Sequence, residues 1–420
     1  MNIRRSAAIL AVTAVAVLGT GSVPVTAFAD DSSPSASPSQ SIPRGLYGSA
    51  DPTYDGVWRQ SLALLAQDTV GVKPAVVAVD WLVGQQCDSG AFAAYRADAS
   101  AKCDGKTPVD TNSTAAAVQA LAALGGHDGE VGRAVRWLKG AQNEDGGWGY
   151  QPGGASDANS TSVVIGAFVA VGDEPAEQKK GEHSPYEALR ALSVPCDEDG
   201  GGAFAFQPDK KGGLLANADA TAAAVLGGLG KGFVAKAGKD DARTAAECVG
   251  GDDLSPEDAA RNGALYLTEA LAKDGYLKSS LPGAEDQPDH GNTADAVVAL
   301  AAAGQKDSTA KPLAWLEKNS VPWAAGAGPA AYAQLILAAH ATGTDPRDFG
   351  GTDLVKKLNA TGPAPEVPNR STAADADEKG DEKGKDDGSV FGVWWIVGTC
   401  LVAGIGVGFL LSGRTKKQQP

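Results

Sequence analysis

The apolar positions of this chain gather into runs that are hydrophobic nearly all round, and four of these runs start and stop alike. Each begins at Asp or Asn, has Thr four residues on, and ends at Gly eleven residues after the Thr: Asp110–Thr114–Gly125, Asp157–Thr161–Gly172, Asn217–Thr221–Gly232 and Asp289–Thr293–Gly304. An all-round apolar run predicts a helix buried on most sides, and the closing Gly suits a left-handed cap. Upstream of each copy lies a Gly-rich turn with an aromatic: Gly90/Phe92, Gly147/Trp148, Gly202/Phe204 and Gly275/Tyr276. Amphipathic stretches at 75–86, 131–141, 186–192, 256–271 and 312–319 predict a second kind of helix, with one polar face. Three of them carry aromatic–Leu pairs, at Trp81-Leu82, Trp137-Leu138 and Trp315-Leu316.

A unit copied in this way is one helical hairpin repeated. The stretch 312–319, a turn at Trp323 and a run over 329–341 ending at Gly343 make a fifth hairpin, with Tyr332 in the place of the Thr. An unpaired inner helix is expected at 56–67, ending at Gly71, and an unpaired outer helix at 352–358. Pairing these two closes a ring. The expected fold is all-α: a closed or nearly closed α/α toroid of six helical hairpins over residues 45–361, plus a single C-terminal transmembrane helix.

The ends of the chain read differently. Residues 1–29 have the form of a secretory signal peptide: Arg4 and Arg5, an apolar core over 7–18, and Ala27-Phe28-Ala29 before Asp30. A Ser/Pro-rich linker follows over 30–44. Residues 362–389 form a Pro-rich and then charged stretch that reads as a disordered stalk. Residues 390–411 carry no charge and at 1.5 Å per residue would span about 33 Å, enough for a bilayer core. The basic tail over 412–420, with Arg414, Lys416 and Lys417, places the C-terminus in the cytoplasm and the rest outside. No Leu-Pro-x-Thr-Gly motif precedes the apolar segment, so a sortase signal is rejected.

A formal net charge of −15 argues against nucleic acid or anionic lipid as a partner. In an oxidising compartment the four ectodomain cysteines are expected to pair as Cys87–Cys103 and Cys196–Cys248, leaving Cys400 in the membrane segment. With no Cys-x-x-Cys and four histidines, no metal site and no cofactor are expected.

The segment Trp137-Leu138-Lys-Gly-Ala-Gln142-Asn-Glu-Asp-Gly-Gly147-Trp148 resembles the Gln–Trp repeat of the prenyltransferase and squalene-cyclase superfamily, and Cys87-Asp-Ser-Gly-Ala-Phe92 is a weaker copy. The resemblance implies the toroid over about 45–361; in that family the Gln and Trp tie helices together. Its enzymatic signatures do not carry over. The nearest string to an Asp-x-Asp-Asp acid, Asp375-Ala-Asp377-Glu378, falls in the stalk, no Cys follows Asp219 or Asp289 at short range, and no thioester motif exists. The chain is also weakly similar to the toroid half of transcobalamin and intrinsic-factor type carriers, without their second domain.

The aromatic turns and helix starts should share one rim. Trp148, Tyr150, Asp157, Asn159, Asn112, Asp219, His290 and Phe206 are its candidate ligand-binding residues, against helix capping and wedging as their structural roles. Of the aromatics, Trp148 suits a wedge and Tyr150 an outward face. Glu144-Asp145 and Asp197-Glu198-Asp199 could hold calcium but lack its loop spacing. The insert 234–254 is expected either to lie over the mouth as a lid or to be a stapled loop. The functional expectation is a membrane-anchored extracellular binding protein that captures a small molecule or a membrane-protein partner at the outer membrane face, such as an importer. An enzyme acting on a terpenoid, prenyl or polysaccharide substrate with Asp157 and Asp219 as acid and base is the alternative, and an interaction scaffold the third reading.

Overall fold

The computed structural model describes residues 42–239, 247–251, 254–280 and 284–367. Among them are twelve α-helices: α1 Gly56–Thr69, α2 Val76–Gly84, α3 Thr111–Leu124, α4 Asp128–Gly140, α5 Ala158–Ala170, α6 Pro185–Arg190, α7 Ala218–Gly228, α8 Pro256–Ala272, α9 His290–Ala302, α10 Lys306–Ala327, α11 Pro329–Thr342 and α12 Leu354–Asn359. The only strands among the described residues form two short antiparallel ribbons, which pair Phe92 with Asp110 and Leu277 with Asp289.

The odd-numbered helices are the apolar runs. Each packs on the next, from α1 through α3, α5, α7 and α9 to α11, and α11 packs on α1, so the ring is closed. Alanine makes this possible: small side chains buried on every side, as from Gly291 to Ala302 in α9, let helices approach on two flanks at once. The even-numbered helices lie outside and bury one stripe. In α4 only Ala134, Val135 and Leu138 are buried.

The seam is sewn by polar groups from both ends of the folded part. The Gly48 amide donates to the Thr361 carbonyl (2.8 Å). The Gln67 side chain donates to Asn359 (2.7 Å), and the Glu366 amide donates to the Lys73 carbonyl (3.0 Å). The first residues of the expected stalk are thus laid on the ring.

The turns follow one rule. Gly45, Gly90, Gly146, Gly202 and Gly275 have φ between 76° and 105°. Two residues after each sits a buried side chain, namely Tyr47, Phe92, Trp148, Phe204 and Leu277. Glycine is needed twice over. Its φ is in the left-handed region, and a Cβ on Gly90 would lie 2.3 Å from the Arg133 carbonyl oxygen of the next outer helix. Gly90→Ala is expected to destabilise by about 2–4 kcal/mol. Gly105→Ala, with nothing within 4 Å of its added methyl, is the neutral control in the same thermal melts.

Several expectations need correcting. The fourth wedge is Leu277, not Tyr276, because position is counted from the positive-φ glycine. Trp323 is not in a turn. Helix α10 runs on through Pro312 and Pro322, its packing on both α9 and α11 outweighing the lost hydrogen bonds. Helix α7 ends at Gly228, and Gly230, not Gly232, takes the positive φ. Gly125, Gly172, Gly304 and Gly343 do close their helices with positive φ.

The insert does not begin by folding over the rim. Residues 231–238 leave the C-terminal end of α7 and enter the ring from that side. The Phe233 amide donates to Gln119 of α3 (2.5 Å), and the Gly238 amide reaches the Ala301 carbonyl of α9 (2.8 Å). Both expected disulfides form, Cys87–Cys103 and Cys196–Cys248, with Cα separations of 5.6 and 5.7 Å. The second staples the far end of the insert beside α8. Among the described residues no helix is long and apolar enough to cross a membrane. The expected signal peptide and the expected membrane segment lie outside the described residues.

Candidate functional site

The repeated Asp–Thr spacing has a local physical meaning. The Asp or Asn is the N-cap of an inner helix. Asp110 accepts from the Ser113 amide (2.6 Å), Asp157 from Ser160 (2.6 Å), Asn217 from Ala220 (2.9 Å) and Asp289 from Asn292 (3.0 Å). The Thr, one turn later, is a peg for the turn. Its hydroxyl accepts the amide of the wedge residue: Phe92 on Thr114, Trp148 on Thr161, Phe204 on Thr221 and Leu277 on Thr293, all at 2.9–3.1 Å. In α1 the same job falls to Gln60, whose side chain accepts the Tyr47 amide (2.9 Å). That puts Trp58 in the register of Asn112, Asn159 and Asp219, each two residues before its peg.

The rim over α3, α5 and α7 is where most of the candidates meet. The Tyr150 carbonyl accepts the Thr111 amide at the start of α3 (2.9 Å), and the Phe206 carbonyl accepts the Ala158 amide at the start of α5 (3.1 Å). Asn159 donates its side-chain amide to Asp219 (3.1 Å). Burial pushes Asp110 and Asp157 up to about 7, against the pull of the amides they accept. Tyr150 is also raised, by burial of its hydroxyl and then by the neighbouring Asp110.

The aromatics divide as their burial dictates. Trp148 is fully buried, donates its indole N–H to the Leu138 carbonyl (2.8 Å) and packs on Phe168 at 5.7 Å. It is a wedge and cannot face a ligand. Tyr150 is 43 % exposed. Phe206 is half-buried against the small cluster around Leu189 and Phe204. His290 stands apart on α9, its ring between Trp315 (4.8 Å) and Trp323 (5.3 Å), with Tyr276 on Trp315. Burial lowers its pKa, so it is neutral at pH 7. That stack is not legible in the spacing of the repeat, because Trp315 and Trp323 lie on the outer helix.

The ring axis is filled. Phe233 meets Trp58 edge to face at 5.4 Å, and Gln119 bridges the Phe233 amide to the Val163 carbonyl. Gln119, Ser162, Val163, Gly166, Leu226 and Phe233 leave a cavity of about 10 Å³, space for a single water at most. A groove of about 590 Å³ lies elsewhere, beside Cys196–Cys248, with Tyr266 and Glu269 of α8. Among the described residues no three His, Cys, Asp or Glu side chains group so as to hold a metal. Asp145 is tied to Gly147 and Ser156, which makes its turn structural.

No family model matches the chain, and no curated protein matches it. Similar solved structures include a protein from Actinoplanes, at 17% identity over 67% of this chain and 77% of that one, TM-score 0.41. They also include the type II terpene cyclase MstE from Scytonema, at 14% identity over 66% and 74%, TM-score 0.43. A variant of that cyclase in complex with geranylgeranyl dihydroxybenzoate is 12% identical over 75% of this chain and 92% of that one, TM-score 0.44.

Proposed function

We propose that this chain is a tethered extracellular binding protein whose α/α toroid presents the rim over α3, α5 and α7 to a ligand or partner. The observation that carries this is the filled axis. Trp58 and Phe233 meet inside the ring and the cavity beside Phe233 is only about 10 Å³, which favours the rim over the axis as the recognition face. Three of the six large apolar residues exposed among the described residues, Tyr54, Tyr150 and Leu215, stand in loops that lead into inner helices. Asp110, Asp157 and Asp289 are engaged as helix caps, which weighs against acid–base work at the rim. The two disulfides suit an oxidising compartment. The signal over 1–29 would export the chain and the anchor over 390–411 would hold the ring at the outer face of a membrane, where tethering raises its local concentration toward an importer or other membrane protein.

The test is native mass spectrometry and cross-linking of the chain purified from its membrane. A bound molecule or cross-linked membrane protein is expected, lost in a Tyr54→Ser/Leu215→Ser double variant. Co-purification of nothing, or turnover of a prenyl diphosphate or polysaccharide, would overturn the reading.

A further inference from the structure

Four side-chain oxygens at the start of α3 and α5 are buried with no hydrogen-bond partner: Asp110 Oδ2, Thr111 Oγ1, Asn112 Oδ1 and Asn159 Oδ1. All four residues are at most 3 % exposed. Thr111 can turn its own proton and the Asp110 carboxyl can carry one, but the carbonyl oxygens of Asn112 and Asn159 only accept, and no donor among the described residues reaches them. The orientation of Asn159 is fixed, since its amide nitrogen donates to the Asp219 carboxylate (3.1 Å), and its carbonyl must therefore point the other way. Asn112 and Asn159 hold the same register on adjacent helices, both two residues after their caps, so they line one stretch of the rim. Buried acceptors left without donors call for an explanation, by ordered water, an ion or a bound group.

We infer that the rim between α3 and α5 is a site for a cationic N–H donor, an ammonium or guanidinium group, held by Asp110, Asn112 and Asn159 beside Tyr150. This rests on reading the rim as a binding face and names the chemistry it takes. A helix N-terminus ordinarily favours an anion, but here the unpartnered atoms are oxygens, and Asp110 and Asp157 stand beside them as carboxyl groups that a cation would hold ionised. A further anion would meet two carboxyl groups and three lone-pair donors, whereas a cation brings the N–H groups they lack. Among the described residues, the groups that act on Asp110 and Asp157 include no Lys or Arg: Ser113 and Asn112 act on the first, and Ser160, Tyr150 and Asp219 on the second. Tyr150, whose hydroxyl lies near Asp110, is 43 % exposed and adds an aromatic ring of the kind cations favour. The cation could be a free amine or guanidine, or a Lys or Arg side chain of a partner protein.

The test uses the purified full-length chain, titrated calorimetrically with n-butylammonium, n-butylguanidinium, the tripeptides Gly-Lys-Gly and Gly-Arg-Gly, and n-butanol as the neutral control. The variants are Asp110→Asn, which keeps a capping side chain while removing the charge, and Asn112→Ala, which removes one acceptor. Saturable binding of the cations, none of n-butanol, and at least about tenfold weaker binding in both variants are expected. Tighter binding of the tripeptides points to a partner's side chain, and equal binding to a free amine. Absence of saturation by any cation up to about 10 mM, or equal affinity in the native chain and both variants, overturns the inference. Its failure is separable from that of the binding reading. A co-purifying partner that persists in Asp110→Asn yet is lost in Tyr54→Ser/Leu215→Ser sinks the cation site alone.

Discussion

Trp148→Ala is expected to lower unfolding stability by about 3–5 kcal/mol, read as a fall in the urea midpoint with little change in slope. The indole is fully buried, packs on Phe168 and donates to the Leu138 carbonyl, which would lose its donor with the ring. Trp148→Phe keeps most of the volume and forfeits the hydrogen bond, so it should cost only about 1–2 kcal/mol. Tyr150→Ala, two residues on and 43 % exposed, should stay within about 0.5 kcal/mol of native. A Trp148→Ala protein as stable as Tyr150→Ala would mean that the wedge is not what joins successive hairpins.

The second large effect is a pH dependence with an unusual sign. Asp110 and Asp157 sit at about 7 in the folded chain, whereas an unfolded Asp titrates near about 3.9. Between those values the native state holds more protons than the unfolded one. The stability these two groups contribute is therefore whole below about pH 4 and is lost as pH rises through about 7. At 1.36 kcal/mol per pKa unit, the loss is on the order of 4 kcal/mol per site by about pH 8. Replacing both by Asn keeps a capping oxygen and abolishes the titration, as Asn217 already does at the start of α7. The Asp110→Asn/Asp157→Asn variant should melt well above native at pH 8 and close to native at pH 4. Parallel pH profiles for the two proteins would show that the caps are ionised throughout and stabilised by their amides.

The ring could be read from the sequence because one spacing does two jobs. The Asp or Asn caps a helix and the Thr four residues on pegs the turn, so a duplicated unit leaves a duplicated pattern. What escaped was written in backbone geometry. The wedge lies two residues after a positive-φ glycine, a relation that Tyr276, as the nearer aromatic, obscured in favour of its neighbour Leu277. Tyr47 escaped for the same reason, since its peg is Gln60 and not Thr. Phe233 was hidden because a short Lys-Gly-Phe-Val segment after a helix reads as loop until long-range contacts with Trp58 and Gln119 place it. At the rim, the sequence picked out Asn112, Asn159, Asp219 and Tyr150 as a group. It also marked Trp148 as the wedge that the fold buries, but it could not separate the group from His290, which the fold sandwiches between two indoles.

Because α1 packs against α11, one flank of α1 has no neighbour until the chain has been synthesised past residue 329. Vectorial emergence from a ribosome or a translocation pore thus cannot finish this protein hairpin by hairpin. An incomplete chain carries two uncovered apolar edges, and joining them is a late step that spans almost the whole length of the fold.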